Sequence, residues 1–91
     1  MPLDKVFKAL ADKNRRKIIN LLRQEELAAG EIAEHFSISK PSISEHLKIL
    51  KNADIIASEK RGQFRYYFLN ASVFDEIVAY FFDIINKKEE K

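Results

Sequence analysis

The stretch SISKPSISEHLKIL, residues 37–50, places five serine or proline residues at the start of an amphipathic apolar run. Ser39 is the predicted N-cap of a helix, because its hydroxyl can accept a hydrogen bond from a backbone N–H of the first turn. Pro41 then falls within that first turn, where a missing N–H costs nothing. The predicted helix covers about residues 40–52. Its apolar side consists of Ile43, Leu47 and Leu50.

The opposite side of this helix is short, polar and weakly basic. Such a surface fits the major groove of DNA, which is about 12 Å wide, and short hydroxyls can approach bases and phosphates closely. Glu45 favours base recognition over charge neutralisation, because a carboxylate repels phosphate but accepts a hydrogen bond from the amino group of cytosine. The predicted DNA contacts on this helix are Lys40, Pro41, Ser42, Ser44, Glu45 and Lys48.

Four further helices are predicted from apolar residues at helical spacing. They cover about residues 3–11, 13–24, 29–36 and 71–87. Asp12 is a suitable N-cap for the second of them. Ala28, which precedes the third, has no side-chain oxygen, so this helix start is weaker by about 1 kcal/mol.

A hairpin is predicted where the apolar period changes after residue 52. Two β-rich stretches, 55–60 and 63–69, flank Arg61 and Gly62, and the chain has only 2 glycines. Basic side chains around this turn could reach the DNA backbone or an adjacent minor groove; the alternative is a sheet edge that charge protects from aggregation. The predicted DNA contacts of this wing, residues 60–65, are Lys60, Arg61, Gln63 and Arg65.

A helix, a tight turn, a second helix and a hairpin make a winged helix-turn-helix. The predicted fold is therefore mainly α with a small β-hairpin, of order ααααββα, and one domain over residues 1–91. The net charge of +2 is unevenly distributed, since residues 1–24, 25–36, 37–66 and 67–91 carry +5, −4, +3 and −2. The two basic blocks could form one surface for a polyanion, and scattered solvated charge is the alternative.

Several classes of protein are disfavoured by composition. The chain has no cysteine, so it forms no disulfide or thiolate metal site. No apolar stretch approaches the roughly 18 residues of a membrane span, and MPLDKVFK does not resemble a signal peptide, so no membrane insertion and a cytoplasmic, nucleoid-associated location are expected. Ser42 and His46 lie one turn apart, but no oxyanion site accompanies them. We therefore expect neither an enzyme nor a cofactor.

The last predicted helix has more apolar surface than one domain face needs. Its apolar residues fill an arc of about 200°, whereas about 100° is sufficient for a surface helix. The excess predicts a second apolar partner, most simply the same helix of another subunit; a helix wedged into a monomer core is the alternative. The predicted dimer interface consists of Val6, Phe7, Leu10, Phe74, Val78, Phe81, Phe82 and Ile85.

Three segments resemble the ArsR family of small dimeric winged-helix repressors, and more closely its metal-independent SdpR-like branch. FKALADKNRRKIINLL is similar to the start of the family, AAGEIAEHFSISKPSISEHLKILKNADII to its helix-turn-helix and KRGQFRYYFLN to its wing. The resemblance implies a homodimer built from the first and last helices, which binds an inverted repeat and blocks transcription. Repression of its own gene is a further hypothesis. The resemblance also implies base and phosphate contacts at Lys40, Ser42, Ser44 and Glu45 and in the wing at 61–65.

The chain departs from the family pattern at informative positions. Glu45 occupies a position that is often histidine, so the operator sequence cannot be carried over. Lys13 replaces a frequent proline and Ala28 a frequent threonine or serine, which affects stability more than function. The cysteine, histidine and acidic sets of metal-responsive members are missing, so no metal sensing is predicted. Release from DNA through a partner protein is one hypothesis, and a winged-helix module that binds proteins without specific DNA binding is the alternative function.

Overall fold

The fold confirms the predicted winged helix-turn-helix. A computed structural model describes residues 3–86. Within this range the elements follow the order α1 (Leu3–Leu10), α2 (Lys13–Gln24), β1 (Leu27–Ala28), α3 (Ala29–Ala33), α4 (Lys40–Asn52), β2 (Ile56–Arg61), β3 (Phe64–Leu69) and α5 (Ala71–Ile85). The predicted end of the last helix at residue 87 and the tail after it lie outside the described residues.

The predicted helix starts are confirmed by their caps. The Asp12 carboxylate accepts hydrogen bonds from the backbone N–H groups of Asn14 and Arg15, at 2.8 and 3.1 Å, and so caps α2. The Ser39 hydroxyl accepts from the backbone N–H of Ser42 at 3.2 Å and caps α4. Each cap satisfies N–H groups that have no partner inside the helix.

Helix α3 is shorter than predicted, since it ends at Ala33 and not at Phe36. After Ala33 the backbone tightens, because the N–H groups of His35 and Phe36 donate to the carbonyls three residues before them. Lys17 of α2 fixes this turn: its ammonium donates to the His35 carbonyl at 2.6 Å and lies 4.6 Å from the centre of the Phe36 ring. The last predicted turn of α3 is thus a tighter turn, which a side chain of α2 contacts.

A third strand was not predicted. β1 pairs antiparallel with β3, Leu27 opposite Tyr67 and Ala28 opposite Tyr66, which gives a sheet of order β1-β3-β2. Both residues of β1 are buried. A strand of two residues has no alternation, so periodicity could not have revealed it.

The turn of the hairpin lies one residue later than predicted. Arg61 pairs with Phe64, so the two-residue turn consists of Gly62 and Gln63, not of Arg61 and Gly62. Gly62 has a φ of +64°, the left-handed region that glycine adopts without a Cβ clash. The shift decides which wing side chains share a face, because residues alternate between the two faces of a strand.

The end of α4 directs the chain into the wing. Asp54 has a φ of 62°, and its N–H donates to the Lys51 carbonyl while the N–H of Ile55 donates to that of Leu50. This pair of bonds is a Schellman motif, and Leu50 and Ile55, at the two positions where an apolar pair usually accompanies it, are both fully buried in the core cluster. The position of β2 relative to α4 is thereby fixed by backbone bonds and core packing together.

One apolar core lies beneath α4 and receives residues from every helix. The predicted apolar side of α4, Ile43, Leu47 and Leu50, is confirmed as buried. The largest fully buried side chains are Ile18, Ile32, Ile43, Leu50, Ile55, Ile56 and Val6. Because α4 is held along its whole inner side, its outer side is a rigid surface.

Candidate nucleic-acid interface

The outer side of α4 carries the side chains that the sequence predicts to contact DNA. Five of them are exposed, and Ser42 is half-buried. The Ser39 hydroxyl donates to the Ser42 hydroxyl at 3.0 Å, so Ser42 takes part in the cap of the helix. The exposed members are Lys40, Pro41, Ser44, Glu45 and Lys48. This strip has no bulky side chain, so another molecule can approach the helix backbone closely.

A polar cluster connects α4 to the junction of α1 and α2. Nη1 of Arg15 lies 3.3 Å from Nδ1 of His46, and an oxygen of Asp12 lies 3.9 Å from the same nitrogen. Arg15 also donates from Nε to the Ala9 carbonyl at 2.7 Å and from Nη2 to the Lys8 carbonyl at 3.0 Å. His46 therefore helps to hold α4 against the junction of α1 and α2.

The charge state of Asp12 reflects this position. Partial burial acts to raise the pKa of its carboxyl group, but hydrogen bonds from the backbone N–H groups of Arg15 and Asn14 favour the carboxylate. Attraction by His46 and by the Arg15 guanidinium acts in the same direction, and the pKa of Asp12 is lowered overall.

The early basic block makes internal contacts. Nη1 of Arg16 donates to the Leu10 carbonyl at 2.8 Å. Arg15 donates in the same way to the carbonyls of Ala9 and Lys8. Cations near a helix C-terminus satisfy carbonyls that have no partner within the helix. Part of the positive charge expected to face a polyanion therefore also stabilises the end of α1.

The wing residues predicted to contact DNA lie on two opposite faces of the hairpin. Lys60 lies opposite Arg65 in the strand register, and Nη1 of Arg65 donates to the Ser58 hydroxyl at 3.0 Å. Arg61, the next residue along β2, belongs to the other face. Gln63 lies in the turn.

The Arg61 guanidinium is engaged by two carboxylates. Nη1 lies 2.7 Å from Glu26, and Nη2 lies 3.1 Å from Glu59. The guanidinium carbon is 5.2 Å from the centre of the Tyr66 ring. Hydrogen bonds to Glu59 and Glu26 raise the pKa of Arg61 above its already high value. Sequence inspection missed Glu26 and Glu59, because these contacts depend on the fold.

The wing and the start of α4 are neighbours. A groove of about 510 Å³ lies between α3, the N-terminus of α4 and the tip of β3. Lys40 of α4 and Phe64 of the wing both line it. Its other lining residues are Ala28, Gly30, Glu31, Ala33, Glu34, Ile38 and Tyr66. The α4 strip and the wing are therefore close enough to contact one extended ligand.

Helix α5 has an inner and an outer apolar face. Val73 and Ile77 are buried, whereas Val78, Phe82 and Ile85 are 66%, 62% and 71% exposed. The outer face, defined here as Val78, Phe81, Phe82, Ile84 and Ile85, is exposed throughout. This division agrees with the wide apolar arc expected from the sequence.

The exposed apolar surface of α5 continues onto α1. The ring of Phe7 lies 6.2 Å from those of Tyr80 and Phe81, centre to centre. Phe7 is 38% exposed, but Val6 is fully buried within the subunit. Val6 packs the core and offers no surface to a second copy, so its assignment to the predicted interface is corrected.

The family described as "Bacterial regulatory protein, arsR family" matches residues 12–58, from the cap of α2 into β2. A protein of Bacillus subtilis (strain 168) described as "Transcriptional repressor SdpR" is 51% identical over 85 residues, which cover 93% of this chain and 94% of that protein. The chain belongs to the ArsR family. The family resemblance expected from its three sequence segments is confirmed.

Solved structures of ArsR-family proteins share the whole architecture. A crystal structure described as an ArsR family transcriptional regulator has a TM-score of 0.89 and 26% sequence identity, and the match covers 98% of both chains. The solution structure of a homodimeric winged helix-turn-helix DNA-binding domain from Mycobacterium bovis, a possible ArsR-family regulator, has a TM-score of 0.72 and 26% identity. That match covers 93% of this chain and 82% of the other.

The described residues contain neither a cluster of metal ligands nor a helix that could span a membrane. Between residues 3 and 86, no three His, Asp or Glu side chains form a group that could hold a metal ion. None of the helices in that range is long and apolar enough to cross a membrane.

Proposed function

We propose that this protein is a transcriptional repressor that binds double-stranded DNA in a sequence-specific manner as a homodimer. The observation that carries the proposal is the exposed strip of α4, which is polar, free of bulk and rigidly supported, in a chain of the ArsR family. α4 enters the major groove, as recognition helices of this kind do, and the wing contacts the backbone or the minor groove. The repressor from B. subtilis named above supports this assignment.

The strip and the wing have different tasks in this proposal. Glu45 reads a base, because a carboxylate gains nothing from phosphate. Lys60 and Arg65 bind phosphate: they are like charges directly opposite each other, and neither forms an ion pair with any of the residues described. Like charges in this position destabilise a strand pair, and a bound phosphate relieves the repulsion.

Replacement of these residues tests the division of tasks. Lys60→Ala should weaken binding to all duplexes alike and reduce the slope of log affinity against log salt by about 1 for each phosphate that is no longer neutralised. Glu45→Ala should change the preferred base, measured by selection from a pool of random duplexes. Lys5→Ala, which removes the same charge from the exposed side of α1, is the control. It should change the affinity and the salt slope less than Lys60→Ala does. Equal behaviour of the Lys60 and Glu45 variants would contradict the assignment.

A protein-interaction module is the alternative function, and the family membership does not favour it. The two differ in their salt dependence, because an apolar protein contact responds weakly to salt, whereas each neutralised phosphate contributes about 0.9 to the slope. A steep slope with duplex DNA therefore supports the repressor.

The remaining parts of the proposal concern biological context. The dimer binds an inverted repeat, represses its own gene among others, and acts at the nucleoid in the cytoplasm without sensing a metal. Release from DNA through a partner protein belongs to the same proposal. No catalytic role is proposed, because the Arg15 guanidinium lies 3.3 Å from Nδ1 of His46 and the Ser42 hydroxyl is hydrogen-bonded to the Ser39 cap of α4.

A further inference from the structure

Arg61 reaches across the whole sheet. In the register of the hairpin, Glu59 lies opposite Tyr66 and Arg61 opposite Phe64, so these four side chains share one face. Glu26 precedes β1 on the far side of β3. Since neighbouring strands are about 4.8 Å apart, the Arg61 side chain must extend across β3, over the Tyr66 ring, to meet Glu26.

The group formed by Arg61, Glu26 and Glu59 is called the Arg61 clamp here. Its formal charge is −1, because one guanidinium faces two carboxylates. A phosphate is best bound by parallel N–H donors of a guanidinium. Here Nη2 donates to Glu59, and Nη1 lies 2.7 Å from a Glu26 oxygen in an ion pair. The clamp as a whole repels phosphate, so Arg61 can bind DNA strongly only after it leaves a carboxylate.

Glu26 differs from Glu59 in its position relative to Arg61. Its distance to Arg61 is shorter, 2.7 Å against 3.1 Å, and it belongs to the segment before β1, whereas Glu59 belongs to the same strand as Arg61. Glu26 therefore also ties the wing to the body of the domain. The side chains of Arg61, Glu26 and Glu59 are 44%, 47% and 56% exposed, so the clamp is accessible to solvent and can open.

We propose that Glu26 lowers the affinity of this protein for DNA by competing with phosphate for Arg61. The inference rests on the proposed function, and it adds a residue that contacts no DNA but sets the strength of DNA binding. Opening of the clamp accompanies binding, because phosphate must replace Glu26 at the guanidinium. Lys60 and Arg65, on the other face, bind phosphate without such competition.

The test measures binding of a fluorescent duplex of arbitrary sequence by anisotropy at low salt. Glu26→Gln should bind about two- to fivefold more tightly per wing than the parent, the range expected for loss of an exposed ion pair. Glu25→Gln is the matched control, because it removes the same charge from the neighbouring exposed residue, which forms no ion pair within the described part of the chain. The smaller effect of Glu25→Gln on affinity measures the contribution of removing one negative charge that is not paired with Arg61.

The same two substitutions in an Arg61→Ala background complete a double-mutant cycle. There Glu26→Gln and Glu25→Gln should have equal effects, since no guanidinium remains to be released. Tighter binding by Glu26→Gln only when Arg61 is present supports the clamp. Equal effects of the two substitutions in the Arg61 protein, or weaker binding by Glu26→Gln, would overturn the clamp and leave the repressor proposal intact. Absence of salt-dependent duplex binding by the parent would overturn both.

Discussion

Ala28 shows how a single side chain sets the stability of the helix-turn-helix. Its φ of −79° and ψ of 159° are those of an N-cap, but alanine cannot accept a hydrogen bond. Only the reverse bond of a capping box forms, from the Ala28 N–H to the Glu31 carboxylate at 2.8 Å. The first turn of α3 is therefore held by half of the usual pair.

Ala28→Ser should complete the capping box. The serine hydroxyl would accept from the backbone N–H of Glu31, and we expect the free energy of unfolding to rise by about 1 kcal/mol. In a domain of this size that raises Tm by about 4–8 °C, measured by circular dichroism during heating. Ala29→Ser, inside the first turn, is the control and should give no increase. An unchanged Tm for Ala28→Ser would show that the hydroxyl is not used as a cap.

A polar junction of α1, α2 and α4 holds in place the helix that is proposed to bind DNA. Asp12 caps α2, Arg15 caps α1, and both lie beside His46 of α4. The three helices are therefore connected by polar bonds at one point as well as by the core beneath them.

Acid should weaken this junction through Asp12. Its pKa is lower in the folded than in the unfolded chain, so its contribution is fully present above the unfolded pKa of about 3.9 and is lost as the pH falls through the folded pKa. Asp12→Asn keeps the cap but not the charge. In urea unfolding, the parent should be more stable than Asp12→Asn at pH 6, and the difference should shrink towards pH 3.

A second variant separates the cap from the charge. Asp12→Ala removes both, so it should be less stable than Asp12→Asn by about 1 kcal/mol at every pH. A stability difference between the parent and Asp12→Asn that stays constant from pH 6 to pH 3 would exclude Asp12 as the source of acid sensitivity.

Elements with local signals could be predicted from the sequence, whereas those that depend on distant contacts could not. α2 and α4 begin with oxygen-bearing caps and carry long apolar stripes, so their bounds and buried sides follow from spacing. β1 is two residues long and exists only because β3 pairs with it. Beyond the end of α3, Lys17 of another helix donates to the His35 carbonyl, a contact that local spacing does not reveal.

The candidate DNA surface divides in the same way. The exposed side of α4 follows from the 100° rotation between residues, so the strip could be predicted from spacing, although Ser42 is half-buried beside the Ser39 cap. The wing was identified as a basic cluster, but composition could not separate Arg61 from Lys60 and Arg65. That distinction needs the register of the hairpin and the position of Glu26 beside it.

The whole subunit is more extended than a compact domain. Its radius of gyration is 15.0 Å, and its principal extents are 54 × 26 × 21 Å, whereas a compact chain of this length has a radius of about 12 Å. The outer face of α5 contributes no buried residue to the core cluster. An apolar helix face exposed on an extended subunit is best explained by a second copy that covers it.

Phe82→Asp should separate the proposed dimer. Phe82 is 62% exposed, and no ring contact holds it within the described part of the subunit, whereas Phe81 packs on Phe7 and Tyr80 and its loss would also disturb the monomer. A buried charge at the interface is unfavourable, so sedimentation should show monomers, and circular dichroism should show that these monomers remain helical. Ser72→Asp, at the exposed start of α5, is the matched control and should sediment like the parent.

Duplex binding should fall together with dimerisation. Two recognition helices read half-sites about 34 Å apart, one helical turn, and a monomer makes only half of the contacts. Phe82→Asp should therefore lose affinity for an inverted repeat much more than Lys60→Ala does, since the dimer adds the second site at a high effective concentration. If Phe82→Asp remains dimeric and binds as the parent does, the outer face of α5 is not the interface, and the exposed apolar surface of this helix must serve a different partner.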